Sequence, residues 1–156
     1  MASVIIAGSF DPVTSGHYYL IKKGSILFDH VIVAVMDNRE KTYLFSLDQR
    51  EEMMKLACTD LSNVKVVASH AMLYEFCNEQ KVFTVLKGVR NEEDYRYEML
   101  QADFNAGHGI DTIFLPAVSG MEQISSTVVR KSIMEKKSLT DLVPRKVAHY
   151  IKQLNP

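Results

Sequence analysis

Cysteine is scarce in this chain: Cys58 and Cys77 are the only two. Both fall in segments with helical patterning and neither belongs to a Cys-x-x-Cys pair, so two buried thiols in a reducing compartment are expected, not a disulfide or a metal pair. Excess charge of one sign is missing as well, since 18 basic and 19 acidic residues leave a net charge of −1. No global positive field exists to draw nucleic acid or an anionic membrane, and any anion site must be local. No apolar run approaches the ~20 residues of a membrane span. Met-Ala-Ser ahead of Val4 offers no charged n-region, so a signal peptide is not expected and a cytoplasmic location follows by elimination. Internal repeats, low-complexity tracts and Pro/Gly/Ser linkers are absent too, which makes 1–156 a single expected domain. Chemical motifs are missing in equal number: there is no Gly-x-x-x-x-Gly-Lys, no Gly-x-Ser-x-Gly and no His-Glu-x-x-His.

What is present is an alternation. Short apolar runs at Val4–Ala7, His30–Met36, Asn63–Ala68, Val82–Leu86 and Thr112–Leu115 read as five strands, and helical patterns fill the gaps. Such alternation implies βαβ units with right-handed crossovers, hence an α/β fold with a doubly wound parallel sheet and helices on both faces. Ligands in such sheets bind beyond the carboxyl ends of the strands at the switch point.

The most informative stretch is residues 4–20, VIIAGSFDPVTSGHYYL. A buried strand is broken by Gly8, turned at Asp11-Pro12, and followed by hydroxyls and His17 at the start of a helix. Unpaired N–H groups and a partial positive charge make that helix end fit for a phosphate, and His17 can donate a ring N–H to the same anion. Further on, Ser46 and Gln49 form a capping box, which leaves Lys41 in the loop above the second strand. Lys87-Gly88-Val89-Arg90 stands where the fourth strand is expected to end, with Arg90 supplying a planar charged fork. Asn91 caps the next helix, on which Tyr95, Met99, Ala102 and Ala106 form one apolar stripe and Tyr97, Leu100 and Phe104 a second. One stripe is expected on the sheet and the other on a neighbouring subunit. Ile124-Ser125-Ser126-Thr127 brings a run of hydroxyls to another helix start, with Ser125 or Ser126 as the cap.

These segments carry a resemblance. GSFDPVTSGH resembles the first signature of the nucleotidylyltransferase superfamily. KTYLFSLDQR, KGVR, DYRYE and ISSTVVR follow in the order, and roughly at the spacing, of the phosphopantetheine adenylyltransferase family. The family pattern has arginine where Lys87 stands, more often a third serine and a lysine where Thr127 and Arg130 stand, and an aromatic turn where Met121-Glu122-Gln123 stands. The resemblance implies a Rossmann-like sheet and transfer of the adenylyl group of ATP to 4′-phosphopantetheine, giving dephospho-coenzyme A and pyrophosphate with Mg²⁺, in coenzyme A biosynthesis. It implies His17, Lys41 and Arg90 as the catalytic groups, with Ser9, Lys41, Leu73 and Lys87 at the acceptor. ATP would meet Ser9, Phe10, His17, Gly88, Val89, Arg90 and Glu98, and also Met121, Glu122, Gln123, Ile124, Ser125, Ser126 and Thr127; no direct metal ligand is named. A homohexamer inhibited by coenzyme A is the further implication. Thr127 and Arg130 leave a nicotinate or nicotinamide mononucleotide adenylyltransferase as an alternative. A cytidylyltransferase fits less well, because those usually carry histidine where Thr14 stands. A nucleotide-sensing module without turnover is an alternative of a different kind.

The chemistry itself asks for little. A phosphate nucleophile has a second pKa of about 6, so no strong general base is required, and catalysis can consist of aligning two anions and neutralising charge on the attacked phosphoryl group.

Overall fold

The computed structural model describes residues 1–154; residues 155–156 of the expected domain span lie outside that range. Five parallel strands run β1 (Ser3–Gly8), β2 (His30–Met36), β3 (Val64–Ser69), β4 (Thr84–Val89) and β5 (Asp111–Pro116), in the spatial order β3-β2-β1-β4-β5. The helices are α1 (Ser15–Leu27), α2 (Leu47–Ala57), α3 (Leu73–Gln80), α4 (Glu92–Ala106), α5 (Ser126–Met134) and α6 (Arg145–Leu154). The chain winds outward from β1 to β3, returns through α3 to the other side of β1, and continues to β5. This is the doubly wound Rossmann-like sheet expected from the alternation of runs, with its switch point between β1 and β4.

Side-chain alternation along each strand builds two cores. Val4 and Ile6 of β1, Val31, Val33 and Val35 of β2, and Leu86 of β4 face one side. There they meet Ile21 of α1, Met53 and Met54 of α2, Val129 of α5 and Val147 of α6. Ile5, Ala34 and Val85 face the other side, against Phe76 and Cys77 of α3 and Ile110. Central strands buried on both faces need apolar residues at successive positions, which is why Val4-Ile5-Ile6 has no polar alternation. Each such side chain contributes about 1.5–3 kcal/mol by leaving water. Cys58 belongs to the first core and Cys77 to the second; both are buried free thiols on opposite faces of the sheet.

Two expectations are corrected. The fourth strand begins at Thr84, not Val82, and extends to Val89. Lys81 takes a left-handed conformation (φ 56°) as the C-cap of α3, and the Val82 N–H donates to Cys77 O at 3.1 Å, so these residues finish the helix instead of entering the sheet. Lys87 and Gly88 therefore lie within β4, paired in register with Phe114 and Leu115, and only Arg90 stands beyond the strand. The second correction concerns α4. Its only buried residue is Asn105. Ala106 is exposed, and Tyr95 is 43% exposed with its ring edge-on to Phe114. The face turned to the sheet is partly polar because Glu98 and Gln101 approach Lys87. No helix among the described residues is long and apolar enough to cross a membrane.

Candidate active site

Backbone pairing joins β1 to β2 at six positions but β1 to β4 at Ile5–Val85 alone. The opening so left above the switch point is a cavity of about 480 Å³, floored by the last residues of β1 and β4 and walled by the N-terminal ends of α1, α4 and α5.

The β1–α1 loop is held from several sides. Phe10 is buried with φ 48°, and its ring folds back over Gly8, where an added Cβ would sit 3.0 Å from Phe10 Cζ. Gly8 thus leaves room for the ring, which would have to shift by a few tenths of an ångström around a Cβ. The Asp11 carboxylate accepts from the N–H groups of Leu44 at 2.9 Å and Phe45 at 3.0 Å, tying this loop to the one that carries Lys41. Arg130 Nη1 donates to Asp11 O at 2.9 Å, and Ser126 Oγ to Pro12 O at 2.8 Å, tying it to α5.

Thr14 caps α1: its Oγ1 accepts from the His17 N–H at 3.2 Å, while the Thr14 N–H donates to His17 Nδ1 at 3.0 Å. A nitrogen that accepts from a backbone amide carries no proton, so the neutral ring is protonated at Nε2. The Phe10 ring meets His17 edge-on at 4.9 Å and fixes its plane. Part of the imidazole surface opens on the cavity, yet protein packs densely around it. That burial, and secondly the Arg90 guanidinium, lower the His17 pKa from 6.5 to about 4. His17 thus offers a neutral N–H donor, while positive charge at the site comes from lysine and arginine.

Arg90 is held by Asp94, whose Oδ2 accepts from the Arg90 N–H at 3.0 Å and lies 3.9 Å from Nε. Ser125 is the cap of α5, its Oγ accepting from the Val128 N–H at 3.2 Å. The first amides of the helix, at Ser126 and Thr127, are left without intrahelical acceptors, as at any helix start. At α1 the Ser15 N–H is taken by Leu142 O at 2.9 Å, which leaves Gly16 as the amide beside the cavity.

Of the residues singled out in the sequence, His17, Lys41, Arg90, Ser9, Phe10, Lys87, Gly88, Glu98, Met121, Ile124, Ser125 and Ser126 all line this one cavity. Leu73, Val89, Glu122, Gln123 and Thr127 do not. Leu73 packs against the second core, and Val89 is bound into β4. Glu122 turns back to accept from the Gly120 N–H at 2.9 Å, and Gln123 is exposed. Thr127 accepts from Arg130 Nη2 at 3.2 Å. Lys87 and Glu98 were expected at different ends of the site, yet they pair with each other: Nζ lies 2.9 Å from Oε2, with both side chains 18% exposed. Oε2 makes no well-aligned hydrogen bond, so the contact is charge neutralisation, and Gln101 Oε1 takes a Lys87 proton at 3.3 Å.

Sequence reasoning assigned no site role to Tyr43, Asp94 or Arg130, which also line the cavity. Tyr43 lies two residues past Lys41 in the same loop. Asp94 stands one turn past Arg90. Arg50, to which the sequence reading gave no site role, is the buried post of the site. It is 0% exposed, and its Nη1 donates to Ser9 O at 2.8 Å and Met36 O at 2.9 Å. Its Nη2 pairs with Asp37, which also faces His70 Nδ1 at 3.2 Å. Among the described residues no three His, Cys, Asp or Glu side chains are grouped so as to hold a metal ion.

Comparison with known proteins gives the family. The cytidylyltransferase-like family model matches residues 5–132. Phosphopantetheine adenylyltransferase of Haemophilus influenzae (strain 86-028NP) is 34% identical over 154 residues, covering 97% of this chain and 99% of its own. The proteins of that name from Actinobacillus pleuropneumoniae serotype 3 and Streptomyces coelicolor are 35% and 34% identical, covering 97% and 92% of this chain and 97% and 91% of their own. A parallel sheet split at its switch point, two capped helix starts facing the split, and near-complete alignment with these proteins lead to one conclusion: the chain belongs to the cytidylyltransferase-like nucleotidyltransferases, in the phosphopantetheine adenylyltransferase family.

Proposed function

We propose that this chain transfers the adenylyl group of ATP to 4′-phosphopantetheine, giving dephospho-coenzyme A and pyrophosphate, in coenzyme A biosynthesis. The observation that carries this reading is the convergence of His17, Lys41, Arg90 and the α5 start on one cavity, in a chain aligned end to end with enzymes of that name. The acceptor phosphate meets Lys41 and Ser9 at the β2 side. The β- and γ-phosphates of ATP meet the open amides of α5. Between them His17 Nε2–H and Arg90 face the attacked α-phosphoryl group and stabilise the charge that develops there. Arg90 brings a planar guanidinium fork for the phosphoryl oxygens, and His17 keeps its proton on Nε2 without becoming cationic. Neither acts as a base, because the acceptor phosphate is already ionised.

Mg²⁺ fits the donor set as a companion of the nucleotide. The carboxylates near the cavity are engaged, Asp11 by two amides, Asp94 by Arg90 and Glu98 by Lys87. Mg²⁺ commonly binds through substrate phosphates, one or two carboxylates and waters; bound so, it would neutralise the polyphosphate. A cytoplasmic homohexamer, with coenzyme A as an inhibitor competing for the acceptor end, completes the reading. The exposed apolar residues of α4 are consistent with assembly: Tyr97, Leu100 and Phe104 are 61%, 71% and 57% exposed.

Arg130 keeps nicotinate mononucleotide as a second acceptor to be tried, since this residue also lines the cavity. The test is pyrophosphate release from ATP with 4′-phosphopantetheine and with nicotinate or nicotinamide mononucleotide. Release with the first alone is expected. Release with a mononucleotide instead overturns the assignment, and ATP binding without release from any acceptor indicates a sensor.

A further inference from the structure

The loop that carries Lys41 also brings a phenol to the acceptor end of the cavity, and its surroundings are those of a prepared donor. Tyr43 OH accepts from the Asn38 N–H at 2.8 Å. With that lone pair engaged, the hydroxyl proton has one partner in reach among the described residues, Ser9 Oγ, at 3.5 Å, which is the outer limit of a hydrogen bond. The ring is fixed from below by the Arg50 guanidinium, 3.9 Å from its centroid. Arg50 is itself immobile, held by Ser9 O, Met36 O, Phe45 O and Asp37. The result is a hydroxyl oriented by a backbone amide and a buried cation, lining the cavity beside Ser9 and Lys41 with its proton poorly used.

We infer that Tyr43 is an acceptor-binding residue: its hydroxyl turns from Ser9 to donate to the terminal phosphate of the acceptor, between Ser9 Oγ and Lys41 Nζ. This rests on the reading that the acceptor is a phosphate monoester bound at the β2 side. Lys41 supplies charge on an exposed, flexible stem, so it attracts the anion without fixing its geometry. Tyr43 supplies direction. The same atom couples the loop to the Asn38 amide, so seating of the phosphate and ordering of the Lys41 loop are one event. With Lys87 already neutralised by Glu98, a neutral donor of fixed aim has more to contribute here than it would beside a free cation.

The variant is Tyr43→Phe, which keeps the ring over Arg50 and removes only the hydroxyl. Its affinity is measured by calorimetry for 4′-phosphopantetheine, for pantetheine, which lacks the phosphate, and for a non-hydrolysable ATP analogue. The expected result is a fivefold or greater loss for 4′-phosphopantetheine, with pantetheine and the analogue unchanged within twofold. Equal losses for 4′-phosphopantetheine and pantetheine make Tyr43 a purely structural member of the loop and overturn the inference, as does no loss at all. If the wild type binds no 4′-phosphopantetheine, the acceptor assignment fails separately. Tyr43 is then judged on inorganic phosphate added with the ATP analogue already bound. A smaller rise in melting temperature for Tyr43→Phe than for wild type supports the inference, and an equal rise overturns it.

Discussion

His17 is the side chain whose protonation the fold controls most tightly. Its pKa is lowered from 6.5 to about 4, by burial first and by Arg90 second. Between those values the unfolded chain binds a proton that the folded chain does not. Stability from this group is therefore complete above pH 6.5 and declines as pH falls toward 4. Ring resonances of His17 followed by NMR should show no titration at pH 6.5. Arg90→Met should raise the midpoint only part of the way back, because burial is the larger cause; a full return to 6.5 contradicts this. For catalysis, His17→Ala should lower turnover at least tenfold, about 1.4 kcal/mol of barrier. The same change removes the contact from Nδ1 to the Thr14 amide, so turnover is compared at a temperature where circular dichroism reports a folded protein. This residue was legible in the sequence because Thr14-x-Gly16-His17 is local, a cap and a side chain three positions apart. The partners that set its pKa were not, since Arg90 is 73 positions away in the chain.

At the scale of elements, α5 and α4 separate capping from charge. Among the described residues Ser125 is the one that satisfies the Val128 amide. Ser125→Ala should cost about 1 kcal/mol in denaturant unfolding and raise KM for ATP with little change in KM for the acceptor, as steady-state kinetics can check. On the other wall β4 presents Lys87 to Glu98 of α4, each 18% exposed. Removing one partner leaves a half-buried charge, and solvent screening keeps the cost below the ~3–5 kcal/mol of a fully buried pair. Lys87→Met should therefore destabilise more than the double variant Lys87→Met/Glu98→Gln, by about 1 kcal/mol in a double-mutant cycle. Losses in Lys87→Met and Glu98→Gln that simply add in the double variant would mean that the pair is not coupled. Apolar periodicity located both elements. It did not locate the polar inner face of α4, because Glu98 and Gln101 answer to a lysine on a strand, a contact without sequence periodicity. Nor did it fix the start of β4, where the α3 cap took Val82 from the sheet.

The whole molecule leaves Tyr97, Leu100 and Phe104 of α4 in solvent, more than half exposed. Single exposed apolar residues are ordinary; three on neighbouring turns of one helix are where the proposed assembly is tested. Leu100→Arg with Phe104→Glu should shift sedimentation toward the monomer while leaving circular dichroism and thermal unfolding of the protomer cooperative; unchanged sedimentation places the subunit contacts elsewhere. By itself the sequence determined the parallel, doubly wound sheet and the two capped helix starts at the cavity, because strand burial, caps and glycine turns are written in neighbouring residues. Only the tertiary structure decided which charges remain available at the site. Lys87 is neutralised by Glu98, Arg50 is consumed by carbonyls and Asp37, and Tyr43 is seated beside Ser9. Each of these depends on distances across the fold, and a charge acts through the partners that folding brings to it.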